Sequence, residues 1–141
     1  MLWNPNKVYE GEPFESERDL EQAIVEVSDI LFGNDRIYLD TKKKIGAKKI
    51  KNIPDGYLVD LSSKKEPRLY VVENELAKHD PLKHIAAQIL EFSLSFETTP
   101  QKVKSIVKEA LGKDQQAWKR CQAYAIQNKF ENVDFLLELI Q

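Results

Sequence analysis

The alternation of hydrophobic and polar positions divides the chain into one helix, three strands and a helical second half. From about Glu15 to Phe32, apolar residues recur at spacings of three and four, which predicts an amphipathic helix. Its apolar positions are Leu20, Ala23, Ile24, Val27, Ile30 and Leu31. Ser16 and Asp19 form a capping pattern at its start, and Gly33-Asn34 predicts its end.

Three short strand candidates follow, and in the first two apolar and polar residues alternate with the period of a strand. They are RIYLDT (Arg36 to Thr41), IPDGYLVDL (Ile53 to Leu61) and RLYVVENEL (Arg68 to Leu76). The polar segment SSKKEP (Ser62 to Pro67) is typical of a turn between the last two. Short turns between successive strands predict a three-stranded antiparallel meander.

The remaining chain has the pattern of helices. Asp80-Pro81 predicts a helix start, and the helix should reach about Ser95 with one apolar face. That face comprises Leu82, Ile85, Ile89, Phe92 and Phe96. Further helices are predicted from Thr99-Pro100 to Gly112, from Asp114 to Lys129 and from Asn132 to Ile140. The last ends without a polar tail, which leaves open whether the chain is truncated. The fold class predicted is α+β, in a single domain covering residues 1–141.

Composition and charge narrow the class of protein. The 141 residues are 42% hydrophobic and 31% charged, which is ordinary for one globular domain. No apolar run approaches the roughly 18 residues of a membrane span, and the first residues lack a secretory signal pattern. The single Cys121 excludes an internal disulfide and a thiolate zinc site, so a reducing cytoplasm is the expected location.

The charge is unevenly distributed. A net charge of −2 argues against a protein that coats nucleic acid by bulk electrostatics, yet six lysines lie between Lys42 and Lys51. Two interpretations of this run stay open: a solvated loop, or a patch that contacts phosphates.

The carboxylates near the strand ends need an explanation. Glu73 and Glu75 are two residues apart, so on a strand both side chains point to the same face. Asp55 stands where the preceding strand begins, and antiparallel pairing would bring it close to both. Converging acidic groups repel unless a hard divalent cation such as Mg²⁺ or Mn²⁺ joins them. The alternative is that Asp55 is a turn residue in PDG and that both glutamates are solvated.

The order of these pieces resembles a known superfamily. A first helix that carries glutamate precedes Pro54-Asp55 at a strand start, then Glu73-Asn74-Glu75 at a strand end, then a helix with Gln88 and Phe92. This order resembles the PD-(D/E)XK, or restriction-endonuclease-like, nuclease superfamily over residues 16–96. Residues 97–141 lie outside the resemblance. It implies a nuclease core that hydrolyses phosphodiester bonds with Mg²⁺ or Mn²⁺.

The resemblance also implies roles for individual residues. Asp55 and Glu73 would be direct metal ligands, with the backbone carbonyl of Asn74 as third donor. Glu21, or else Glu17, would be the first-helix carboxylate that holds the metal through water.

The catalytic residues implied by the resemblance are Glu75, Lys78 and Gln88. The family lysine is expected where Glu75 stands, and Glu75 would bind metal or accept a proton from the attacking water. Lys78 would supply the missing positive charge, and Gln88 would face the site from the following helix.

The partner implied is nucleic acid, with DNA favoured over RNA, although nothing in the residues decides between them. Flanking phosphates would be contacted by Lys43, Lys44, Lys48, Lys49 and Lys51. The oligomeric state stays open, a dimer included.

Other candidate residues carry less weight. His84, four residues before Gln88, is a candidate second contact in the same cleft; His79 is a weaker one. Trp118 and Cys121 are interpreted as packing residues. Three hypotheses therefore stand: a metal-dependent nuclease, a nuclease-like domain that no longer cuts and binds nucleic acid or a protein, and an unrelated α+β interaction domain.

Overall fold

A computed structural model describes residues 11–41, 54–76, 82, 85–90 and 100–139. Along the chain the elements are helix α1 (Glu17–Phe32), strands β1 (Arg36–Asp40), β2 (Gly56–Asp60) and β3 (Arg68–Val72), and helices α2 (Pro100–Gly112), α3 (Gln115–Gln127) and α4 (Val133–Leu139). Residues 82 and 85–90 are also helical. The predicted α+β class, with a helix, a three-stranded sheet and further helices, is confirmed.

Helix α1 begins and ends where its capping residues predict. The Ser16 hydroxyl accepts a hydrogen bond from the Asp19 backbone N–H at 3.3 Å and donates one to the Asp19 carboxylate at 2.7 Å. At the other end, the Gly33 N–H donates to the carbonyl of Asp29 at 3.0 Å. Gly33 has φ 87° and ψ 163°, a conformation that glycine adopts far more readily than other residues.

The sheet is the predicted antiparallel meander, in the order β1-β2-β3. Arg36 lies opposite Asp60 between β1 and β2, and Gly56 lies opposite Val72 between β2 and β3. The strands are shorter than predicted: β3 ends at Val72, so residues 73–76 lie beyond it. Three polar residues in succession follow Val72 in the sequence, and ladder pairing does not extend to them.

The hydrophobic core lies between one face of the sheet and helices α2, α3 and α4. The sheet contributes Ile37, Leu39, Tyr57 and Val59, and the helices contribute Val103, Ile106, Val107, Ala110, Leu111, Ala117, Cys121, Tyr124, Val133, Leu136 and Leu137. Trp118 is partly buried against this core. Burial raises the pKa of the Cys121 thiol to about 12, even though the charge of Arg120 acts in the opposite direction. Cys121 is therefore a core residue, as predicted, and its thiol stays protonated.

The opposite face of the sheet meets α1, where the rings of Phe32 and Tyr38 stack with centroids 5.5 Å apart. No residue of α1 is buried, and Ile30 is 87% exposed. On the helical segment 85–90, Ile89 is 59% exposed as well. The periodicity correctly predicts helices here, but the apolar stripe of α1 is only partly covered, because the spacing of residues does not determine what packs against a helix.

None of the described helices is both long and apolar enough to cross a membrane.

Candidate functional site

The candidate site lies at the end of the sheet where β1 ends, β2 begins and β3 ends. Pro54 and Asp55 precede β2 and are both buried, Asp55 with 4% of its surface exposed. The Thr41 hydroxyl donates to the Pro54 carbonyl at 2.6 Å, and the Thr41 N–H donates to the Asp55 carbonyl at 3.2 Å. These bonds hold the backbone of Asp55 against the end of β1. Asp55 therefore lies in a bend that precedes β2, but it is buried there.

Asp55 and Glu73 lie at the same end of the β2–β3 pair. The last pair of the ladder joins Gly56 and Val72, and Asp55 and Glu73 are the chain neighbours of these two residues. The Asp55 Oδ1 and Glu73 Oε1 atoms are both buried. We call this end of the sheet, with Asp55, Glu73 and Asn74, the acidic edge.

Asn74 links the two strand ends at the acidic edge. Its backbone N–H donates to the Asp55 Oδ2 at 2.8 Å, a charge-assisted bond between residues 19 apart in sequence. Its side-chain Nδ2 donates to the Tyr38 hydroxyl at 3.3 Å. Asn74 is itself 8% exposed. One residue therefore connects the start of β2 with a side chain of β1.

The Tyr38 hydroxyl lies among several carboxylates. Burial raises the pKa of Tyr38 above its ordinary value; the Asn74 hydrogen bond lowers it, and the charges of Asp40, Glu21 and Glu73 raise it further. The carboxylates are thus within electrostatic reach of one hydroxyl, although they come from α1, β1 and the end of β3.

The pKa of Tyr57, on the core face of the sheet, is raised as well. Burial raises the pKa of Tyr57 to about 12, and the charge of Glu73 adds to this effect. Both tyrosines therefore stay neutral at physiological pH, and neither adds negative charge to the acidic edge.

The predicted site residues are brought together in part. Glu21 of α1 and Glu73 are both within electrostatic range of the Tyr38 hydroxyl, but they do not form a metal-binding group with Asp55 in the described part of the chain. Glu75 is partly buried, two residues past Glu73. Gln88 is helical and partly buried. Lys78, His79, His84, Lys43, Lys44, Lys48, Lys49 and Lys51 lie outside the described residues.

The atoms at the acidic edge that could bind a metal ion are all oxygens, and they are few. Within the described ranges, no group of three or more His, Cys, Asp or Glu side chains is close enough to hold a metal ion. Asp55 and Glu73 supply two carboxylates, and the Asn74 carbonyl follows directly. Mg²⁺ prefers oxygen donors and usually keeps several waters, so two carboxylates with a backbone carbonyl fit it chemically.

Three residues at the acidic edge were not predicted from the sequence. Tyr38 and Thr41 were assigned only to a strand, and Asp40 was not singled out. One residue of the sequence did indicate a close contact at this edge, the glycine of PDG. A Cβ on Gly56 would lie 2.6 to 2.7 Å from atoms of the Tyr38 ring and hydroxyl. Such a glycine indicates close approach of another group, but the sequence does not say which group.

A cleft of about 420 Å³ lies at the opposite end of the sheet, away from the acidic edge. Asn34, Asp35 and Ser62 line it together with Arg120 and Tyr124 of α3. Arg120 donates to the carbonyls of Asn34 and Arg36, and Tyr124 donates to the carbonyl of Ser63. These hydrogen bonds hold α3 against the loops at this end of the sheet. The cleft is therefore part of the packing between α3 and the sheet.

No family model, curated protein or solved structure matches the chain.

Proposed function

We propose that the chain is a metal-dependent nuclease domain with a PD-(D/E)XK-like core, which hydrolyses phosphodiester bonds of nucleic acid. The observation that carries the proposal is that Asp55 and Glu73 flank the last β2–β3 pair at one end of an antiparallel meander. A buried carboxylate is costly unless hydrogen bonds or a cation compensate its charge. Two acidic residues at the same end of a sheet repel each other, and a divalent cation between them would relieve that repulsion.

The proposed ligands are Asp55, Glu73 and the Asn74 carbonyl, with Glu21 acting through water. The chemistry that Mg²⁺ or Mn²⁺ supplies in such a site is neutralisation of the phosphate and activation of water. Glu17, one helical turn before Glu21 on α1, is the alternative to it.

Hydrolysis also needs a group that takes the proton of the attacking water as the new P–O bond forms and the bond to the leaving oxygen breaks. Glu75 is the proposed acceptor, since it follows Glu73 by two residues and is partly buried. Lys78 is proposed to stabilise the developing charge, Gln88 to contact the substrate, and the lysines between 42 and 51 to bind flanking phosphates.

The test uses isosteric variants of the two ligands. With Mg²⁺ or Mn²⁺, the wild-type protein should nick supercoiled plasmid or cut labelled single-stranded DNA or RNA. Asp55→Asn and Glu73→Gln should lower the rate by about 100-fold or more, since each removes a charged ligand. Asp134→Asn is the matched control, because Asp134 is exposed and pairs with Lys108 on the C-terminal helices. It should cut at the wild-type rate.

Metal binding is measured separately from cutting. The melting temperature of the wild type should rise with Mn²⁺ concentration, and Glu73→Gln should remove this rise. Cutting by Asp55→Asn at the wild-type rate would contradict the proposal. A folded wild type that neither cuts nor responds to Mn²⁺ would contradict it too.

The second candidate is a nuclease-like domain that no longer cuts and binds nucleic acid or a protein. Glu75 in place of the family lysine is the observation that favours it. A wild type that binds labelled DNA or RNA without cutting it, at any metal concentration, would establish this alternative.

A further inference from the structure

We propose that Tyr38 is a positioning residue for the acidic edge, whose hydroxyl holds Asn74 so that the Asn74 N–H stays on the Asp55 carboxylate. The effect of Tyr38 on the cutting of nucleic acid rests on the proposed function, whereas its effect on the position of Asn74 does not.

The ring of Tyr38 is held on two sides. Phe32, the last residue of α1, stacks on it with an interplanar angle of 20°. Gly56 leaves the space that the ring occupies, because a Cβ there would lie 2.7 Å from the Tyr38 hydroxyl oxygen. These contacts restrict the Tyr38 side chain and keep its hydroxyl near the start of β2.

Asn74 needs this support because it lies beyond the ladder. The last pair between β2 and β3 joins Gly56 and Val72, so Asn74 is two residues past the end of β3. Its described bonds are the backbone N–H to Asp55 and the side-chain amide to Tyr38. A buried amide that loses its acceptor costs free energy, so removal of the hydroxyl should let Asn74 shift.

The position of Asn74 determines the geometry of the acidic edge. Its N–H orients the Asp55 carboxylate, and it follows Glu73 directly in the chain. Movement of Asn74 therefore changes the Asp55 carboxylate and the Glu73 backbone together, the two partners on which a cation would depend.

Tyr38→Phe tests the proposal, since it keeps the ring and removes only the hydroxyl. The matched control is Tyr70→Phe: Tyr70 lies on the same face of the sheet, across β2 from Tyr38, but is 43% exposed. The measurement is hydrogen exchange of the Asn74 backbone amide in the full-length folded protein. Exchange relative to global unfolding should be about fivefold faster in Tyr38→Phe and unchanged in Tyr70→Phe.

The rate at which the protein cuts DNA is the second measurement. In Tyr38→Phe, kcat should fall about fivefold to tenfold and the Mn²⁺ concentration for half-maximal rate should rise, with KM for DNA unchanged. In an Asn74→Ala background, Tyr38→Phe should have no further effect on kcat, because the residue through which it acts has lost its side chain.

The outcomes separate the two proposals. Unchanged exchange of Asn74 in Tyr38→Phe would overturn the positioning role, whether or not the protein cuts. A wild type that does not cut, with faster Asn74 exchange in Tyr38→Phe, would overturn the proposed function and leave the positioning role standing.

Discussion

Asp55 and Asp60 are nearly buried carboxylates at the two ends of β2, and their contacts differ in kind. The Asp60 carboxylate accepts a hydrogen bond from the Arg36 guanidinium on the neighbouring strand β1 at 3.1 Å. It accepts another from the Ser62 N–H at 2.9 Å. The Asp55 carboxylate accepts a hydrogen bond from the backbone N–H of Asn74, and another acid, Glu73, lies at the same end of the sheet. Asp60 is therefore part of a structural ion pair, whereas the hydrogen bond to Asp55 comes from a backbone amide.

The residue-scale prediction concerns Asp60 and acid stability. Burial raises the pKa of Asp60, but hydrogen bonds from Ser62 and Arg36 outweigh burial and leave that pKa below its ordinary value. A lowered pKa in the folded protein gives stability that is present above the unfolded pKa of about 3.9 and is lost as pH falls below it. Asp60→Asn should cost about 1 to 2 kcal/mol at pH 7, and the loss should shrink below about pH 4.

Urea unfolding at a series of pH values checks this. Glu66→Gln is the control, because Glu66 pairs with Arg68 at 3.6 Å with both side chains exposed. It should change the free energy of unfolding by less than about 0.5 kcal/mol. If the wild type and Asp60→Asn lost stability in parallel on acidification, the ion pair would not be the cause.

At the scale of elements, the turn from α1 into β1 depends on the backbone of Gly33. A φ of 87° with ψ of 163° lies in a region that residues with a Cβ seldom enter. The turn places Arg36 beside the end of α1, where its Nη1 donates to the Phe32 carbonyl at 3.0 Å. It also brings Phe32 onto Tyr38, so it connects α1 to the acidic edge.

Gly33→Ala should lower the free energy of unfolding by about 1 to 3 kcal/mol, because the backbone would be strained. Space is not the limit, since a Cβ would meet only an Arg36 side-chain atom at 3.9 Å. Gly112→Ala is the matched control: Gly112 ends α2, and a Cβ there would meet nothing within 4 Å. It should be neutral or slightly stabilising in chemical denaturation. Equal effects of the two substitutions would argue against backbone strain at Gly33.

At the scale of the whole molecule, the C-terminal helices complete the core even though the nuclease resemblance does not extend to them. Helices α2, α3 and α4 cover the face of the sheet that carries Leu39 and Val59, both fully buried. Without them this face would be exposed to water. The helices and the sheet should therefore unfold together, as one cooperative unit.

Leu136→Ala tests this cooperativity. Leu136 of α4 is fully buried, so its truncation should cost about 2 to 5 kcal/mol through lost burial and a cavity. Far-ultraviolet circular dichroism, which is dominated by the helices, and tyrosine absorbance in a Tyr124→Phe background, to which Tyr38, Tyr57 and Tyr70 of the sheet contribute, should still give coincident transitions at lower denaturant. Ile126→Ala, at a residue 72% exposed, should shift the midpoint little. Separate transitions in Leu136→Ala would show that the helices fold apart from the sheet.

Local patterns in the sequence predicted most of the elements, because capping and alternation act over a few residues. Ser16, Gly33 and Asp114 lie at element ends as expected, and the Asp114 carboxylate accepts from the Ala117 N–H at 3.0 Å. The end of β3 was predicted four residues too late. The predicted strand extended to Leu76, whereas the ladder stops at Val72, before three successive polar residues.

The sequence by itself determined the α+β class, the meander and the presence of Asp55 and Glu73 at strand ends, because these follow from short-range spacing. The tertiary structure decided what surrounds those carboxylates. It buried Asp55, set the Asn74 amide on it and brought the Tyr38 hydroxyl across Gly56. These contacts join residues 18 to 36 positions apart, and only the register of the sheet and the packing of α1 against it specify such pairs.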